Sequence, residues 1–179
     1  VRELVLGCGR KTTKTLYQKT IETENDDILK EYKNPYRIDI NPDVNPDLVY
    51  DLNGVSLPFM EDEFDEIHAY EILEHLGTQG DWKFFLAQFD EFARVLKPDG
   101  FMMISFPKWN KKWAWGDPGH TRCLQPEMFQ FLDRDHVAEF AESTAISDYR
   151  PFFKSNWKIV HVTDVNEFCV GVVLQNKKE

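Results

Sequence analysis

Cysteine, positive charge and long apolar runs are the scarce commodities of this sequence. Only three cysteines occur in 179 residues, Cys8, Cys123 and Cys169, and none stands at metal-ligand spacing from another. So odd and sparse a set excludes a disulfide framework and a cysteine metal centre. Free thiols in a reducing, cytoplasmic setting and no metal are expected. Lysine and arginine number 21 against 31 aspartates and glutamates, a formal charge of −10. That balance argues against a broad nucleic-acid-binding face, although it leaves room for a local basic patch. No apolar run nears the roughly 20 residues that cross a bilayer, and the first residues do not resemble a secretory signal, so no membrane partner is expected. No repeat, low-complexity tract or linker divides the chain, so a single domain over 1–179 is expected.

Hydrophobic residues make up 42% of the chain, enough for a substantial core. Glu3 to Leu6 is a short apolar run ended by glycine, the pattern of a strand buried on both faces. It starts so near residue 1 that no helix is expected before it. Thr12 to Glu31 has no clean period; a short helix using Leu16, Ile21, Ile28 and Leu29, then a loop, is expected. Tyr36–Ile40, Leu48–Tyr50 and Phe64–Ala69 read as further strands, with Asn-Pro-Asp turns between the first two. Glu71–Leu76 reads as a helical turn. In Trp82–Leu96 the positions Phe85, Phe89, Phe92 and Leu96 follow one helical stripe, and Lys97-Pro98-Asp99-Gly100 stops it. A fifth strand, Phe101–Phe106, ends at Pro107, and a helix starts at Pro126. Trp157–Val162 and Phe168–Leu174 are β-rich and joined by five residues, hence an antiparallel hairpin. Strand–helix alternation followed by a hairpin predicts an α/β fold with a mostly parallel sheet and one reversed strand.

Ligands of such sheets bind at the carboxyl ends of the strands. Gly7-Cys8-Gly9, Asp39, Asp51, Tyr70 and Pro107 all fall there. Glycines at the first strand end let backbone turn tightly and approach a ligand. A carboxylate at the tip of the neighbouring strand can accept both hydroxyls of a ribose.

Three further segments narrow the choice. Leu-Pro-Phe at 57–59 leads into Phe-Asp-Glu-Ile-His-Ala-Tyr-Glu-Ile-Leu-Glu-His-Leu at 64–76, and Arg-Val-Leu-Lys-Pro-Asp-Gly at 94–100 precedes the fifth strand. With Leu-Val-Leu-Gly-Cys-Gly at 4–9, Arg-Ile-Asp-Ile at 37–40 and Tyr-Asp-Leu-Asn at 50–53, nearly the whole chain resembles a class I S-adenosylmethionine-dependent methyltransferase of the small-molecule type. The resemblance implies a Rossmann-like three-layer sandwich with a seven-stranded sheet and S-adenosylmethionine over its carboxyl ends. It implies that Gly7, Cys8 and Gly9 pass under the methionine and ribose, and that Asp39 holds the ribose hydroxyls. Ile40 lies against the adenine, Asp51 takes its amino group beside Leu52, and Ala69 and Tyr70 offer backbone groups to the methionine end. The chain departs from the family at Val5, where a carboxylate usually anchors the amino group, and at Lys11, where a third glycine is common. Glu3 or a backbone carbonyl is the expected replacement for the missing acid.

On the acceptor side the resemblance brings forward His75, in Leu-Glu-His-Leu, and His120, in Asp-Pro-Gly-His-Thr-Arg at 117–122. Either could accept a proton from a substrate, or simply fix a loop. Lys108, Trp109, Lys111, Lys112, Trp113 and Trp115 cluster just after the fifth strand. They read as a lid over 108–124 that shields the cofactor, or as a surface that stacks a base or holds an anion. A small-molecule methyl acceptor is expected, with nucleic acid or protein left open. Two other classes stand beside this one: a methyltransferase-fold binding module completed by a partner chain or homodimer, and a dinucleotide-binding Rossmann protein.

Overall fold

A computed structural model describes residues 1–16 and 31–178, and the helix expected around Ile21–Leu29 lies outside them. Seven strands form one sheet: β1 (Glu3–Leu6), β2 (Pro35–Asp39), β3 (Leu48–Val49), β4 (Phe64–Tyr70), β5 (Leu96–Pro107), β6 (Trp157–Asp164) and β7 (Cys169–Asn176). Their order is β3-β2-β1-β4-β5-β7-β6, with only β7 running against its neighbours. The mostly parallel Rossmann-like sheet and its reversed hairpin strand are therefore as expected. The chain reverses direction across the sheet at β1 and β4, which opens a crevice at their carboxyl ends.

One face of the sheet carries the main core. Leu4, Leu6, Ile67, Ala69, Ile104, Phe106, Val172 and Leu174 lie beneath α1 (Trp82–Val95), which presents Phe85, Phe89 and Phe92. Asp81 caps that helix by accepting from the Phe84 N–H at 3.0 Å. Phe89 sits at the centre, 5.6 Å from Phe129 and 6.0 Å from Trp157 between ring centroids. Trp157 and Phe153 are thus core residues, and of the three aromatics near the hairpin only Phe152 is exposed. On the opposite face, among the described residues, a smaller cluster forms where Leu16 packs on Tyr70, Met103 and Val173.

Two local expectations change. β5 begins at Leu96, five residues early, because Lys97–Gly100 is carried as a bulge: Phe64 faces Leu96, yet Glu66 faces Phe101. Asp99 turns there with φ +58°. The Asn176 side chain donates to the carbonyls of Ala93 and Leu96 and fastens the junction. The segment after Pro126 is a 3-10 turn (Pro126–Leu132), and a helix follows it (α3, Arg134–Ser143) once Asp133 caps the His136 N–H. The helical turn expected within Glu71–Leu76 is there, a single 3-10 turn at Leu73–His75. A short helix, α2 (Lys112–Gly116), occupies the Trp–Lys stretch.

Candidate active site

The glycine loop after β1 uses its two glycines differently. Both have left-handed backbone, φ +55° at Gly7 and +51° at Gly9. A Cβ on Gly7 would meet the Ile72 side chain at 2.5 Å, so this residue is small because β4's continuation packs on it. A Cβ on Gly9 would meet nothing within 4 Å. The Gly9 N–H donates to Asp39 Oδ2 at 2.8 Å, and the Asn41 N–H donates to Oδ1 at 2.9 Å. The Arg37 guanidinium donates to the Gly9 carbonyl at 2.9 Å. The carboxylate at the tip of β2 is thereby fixed against the loop. Cys8 is buried, and its N–H donates to the Ile38 carbonyl, so it serves the turn; burial pushes its thiol up.

Beside Asp39, Ile40 is 64% exposed. After β3 the Asp51 carboxylate accepts from the Asn53 backbone at 2.9 Å, while Leu52 is buried in the core. Asn53, unremarked in the sequence, accepts from the Gly77 N–H at 3.0 Å and joins this loop to the turn after β4. Ala69 is buried at the end of β4. The Tyr70 side chain points to the opposite face, where its hydroxyl donates to the Leu16 carbonyl at 2.8 Å; only its backbone faces the strand ends. Glu71 follows with φ +54°, and its carboxylate accepts from the Ser105 hydroxyl at 2.7 Å.

Glu3 does not replace the acid missing at Val5. It stands at the amino end of β1, where its Oε2 accepts from the N–H groups of Lys33 and Asn34 at 2.7 and 2.8 Å. Its Oε1 lies 2.7 Å from the Lys14 ammonium.

The two histidines meet. His75 Nδ1 lies 3.1 Å from the Gly119 carbonyl, and the His75 and His120 rings cross edge-on with centroids 4.6 Å apart. The Thr121 N–H donates to the Glu74 carbonyl at 2.9 Å, docking the 117–122 segment onto Leu-Glu-His-Leu. Arg122, buried, donates to the Leu73 carbonyl and to Gln88; burial lowers its pKa to about 10. Glu74 is 2% exposed, and burial raises its carboxyl to about 8.

Beyond lies the Trp–Lys segment. Trp109, Trp113 and Trp115 are 56%, 50% and 68% exposed. The Trp115 indole donates to the Trp109 carbonyl at 2.9 Å, and the Lys112 ammonium stands 4.9 Å over Trp113. Lys108 and Lys111 pair with Asp164 and Glu167 of the β6–β7 hairpin, at 2.9 and 3.6 Å. A cavity of about 250 Å³ opens between Lys108, Trp109, Gln125, Glu127 and Asp164. A larger cleft, about 860 Å³, lies at the other end of the strands, around Arg94, Asn156 and Asn176, and holds none of the predicted site residues.

Residues 4–104 match the methyltransferase domain family, more than half of the chain. The chain belongs to that family, and the dinucleotide-binding alternative falls. No curated protein sequence matches it. Among solved structures, an S-adenosylmethionine-dependent methyltransferase from Archaeoglobus fulgidus is similar over 97% of this chain and 85% of its own, at 14% identity and TM-score 0.57. The trans-methyltransferase CalH, solved with S-adenosylhomocysteine, is similar over 98% of this chain and 51% of its own, at 14% identity and TM-score 0.58. The [4+2]-cyclase SpnF is similar over 98% and 74%, at 14% identity and TM-score 0.54. The likeness extends the family's fold through the hairpin, and with a [4+2]-cyclase among the similar structures this fold is not reserved for one reaction. No described helix is long and apolar enough to cross a membrane.

Proposed function

We propose that the chain is an S-adenosylmethionine-dependent methyltransferase that modifies an oxygen or nitrogen of a small molecule. The observation that carries this reading is the cradle at the ends of β1 and β2. There Asp39 is held by the Gly9 and Asn41 N–H groups, Gly9 has open space where a Cβ would stand, and apolar Ile40 is exposed alongside. Each Asp39 oxygen accepts one N–H and keeps a lone pair for a ribose hydroxyl. Asp51 takes the adenine amino group, exposed Ile40 forms the apolar shelf, and Gly7, Cys8, Leu52, Ala69 and Tyr70 contribute backbone. These residues fit the cofactor. When bound, S-adenosylmethionine supplies a methyl group on a good leaving group, so the protein's main task is alignment.

His75 and His120 border the acceptor side, where an imidazole removes the proton of a hydroxyl nucleophile. The net charge of −10 favours a small acceptor over nucleic acid, as does the pairing of Lys108 and Lys111 with hairpin acids. Residues 108–124 act as the lid of a single domain, and the three free cysteines favour a cytoplasmic setting. Val5, with Glu3 committed elsewhere, supports a second reading: a binding module completed by a partner chain. Calorimetric titration with S-adenosylhomocysteine separates the two. Micromolar binding that disappears in Asp39→Ala supports the enzyme; no binding to wild type leaves the module.

A further inference from the structure

We infer that Glu74, His75 and His120 form a site for one divalent transition-metal ion, where cysteine spacing alone led to the expectation of no metal. Each of the three offers a ligand atom, and these atoms all lie within 4.8 Å of one another. Around a tetrahedral ion such ligands stand about 3.3 Å apart, a contraction that side-chain rotation can supply. Both Glu74 carboxylate oxygens and His120 Nδ1 are buried without a hydrogen-bond partner among the described residues. Buried polar atoms are normally satisfied, so three orphans within one such cluster call for a ligand. Arg122, the nearby cation, directs its bonds to the Leu73 carbonyl and Gln88 instead of the carboxylate.

The surrounding contacts suit metal ligation. His75 Nδ1 is held by the Gly119 carbonyl at 3.1 Å, which leaves Nε2 to bind the ion. Asp117 Oδ2 stands 3.9 Å from His120 Nε2, a carboxylate placed behind the second imidazole.

The fold contains its own comparison. Glu3, Glu66 and His68 make a second cluster of similar composition, but there the Lys14 ammonium lies between the carboxylates at 2.7 and 2.8 Å. At Glu74 no ammonium plays that part among the described residues. Two imidazoles and one carboxylate suit Zn²⁺, Co²⁺ or Mn²⁺ better than Mg²⁺ or Ca²⁺, and three protein ligands leave a position open. On the methyltransferase reading, on which this last step rests, that position takes an acceptor oxygen, so the substrate class is a hydroxyl compound. The histidines then act as ligands, and the ion does the acidifying.

The test is titration of the chelator-treated chain with Zn²⁺ by calorimetry and with Co²⁺ by visible absorption. One ion per chain is expected, with binding weakened more than about 100-fold in Glu74→Gln and in His120→Ala and unchanged in Glu66→Gln. Circular dichroism checks each variant's fold, and His75→Asn serves in place of any that unfolds. No binding to wild type, or binding that survives these ligand substitutions, overturns the site. S-adenosylhomocysteine titrated into the same samples keeps the two proposals apart. Metal bound without it leaves the site standing while the methyltransferase reading falls, and the reverse result removes the site alone.

Discussion

At Gly9 the backbone is left-handed and a side chain would point into open space, whereas at Gly7 it would run into Ile72. The same substitution should therefore fail in two different ways. Gly9→Ala should cost only the roughly 1–2 kcal/mol of a left-handed alanine, yet weaken S-adenosylhomocysteine binding at least about tenfold by filling the approach. Gly7→Ala adds a buried clash to that backbone cost and should lose about 2–4 kcal/mol of stability. Urea unfolding and calorimetry on both variants test the contrast; equal loss of stability would show that Gly9 is structural too. The sequence displayed both glycines and Asp39, because strand-end chemistry is local. It could not display the meeting of Glu74 with His120, since residues far apart in the chain come together only when 117–122 docks on Leu-Glu-His-Leu. Nor could it tell that Tyr70 turns its ring away, which depends on the pleat of β4.

Elements are legible to the degree that their periodicity reports burial. α1 was plain because Phe85, Phe89 and Phe92 make one buried stripe. α3 buries only Val137 among its residues, so its sequence carries little amphipathic signal, and Asp133 starts it as a cap. The bulge in β5 was hidden for a different reason: Pro98-Asp99-Gly100 has turn chemistry, and only pairing with β4 draws Leu96 into the strand. The same logic ranks two phenylalanines. Phe89→Ala, at the junction of helix, 3-10 turn and Trp157, should cost about 3–5 kcal/mol in chemical denaturation. Phe140→Ala on α3, where the residue is 39% exposed and packs only on His136 of its own helix among the described aromatic pairs, should change stability by less than about 1 kcal/mol. A large loss at Phe140 would mean that α3 has a partner surface.

At the scale of the whole molecule the sheet divides its chemistry between faces, with aromatic packing under α1 and a charged network on the other side. Glu3 and Glu66 are cross-strand neighbours, a pairing of like charges that costs stability unless a cation intervenes. Lys14 intervenes, while His68 bonds Glu66 at 3.0 Å and Tyr32 packs edge-on to the imidazole. Burial pushes Glu66 upward, but the bonds from His68 and Lys14 outweigh it and bring its carboxyl to about 2. Burial likewise holds His68 below its ordinary value, against the pull of Glu66. Both folded values lie below those of the unfolded chain, so in each case the unfolded state takes up the proton first as pH falls. Stability should therefore begin to decline below pH 6.5 through His68, and fall further from 4.5 toward about 2 through Glu66. Glu66→Gln should lose roughly 2–3 kcal/mol at pH 7, and this deficit should shrink as the wild-type carboxylate protonates. Urea midpoints of both proteins at pH 7, 5 and 3 decide it. Parallel declines would place the acid sensitivity elsewhere, whereas converging curves would locate it in the Lys14–Glu66–His68 network, on the face away from α1 and apart from the glycine cradle.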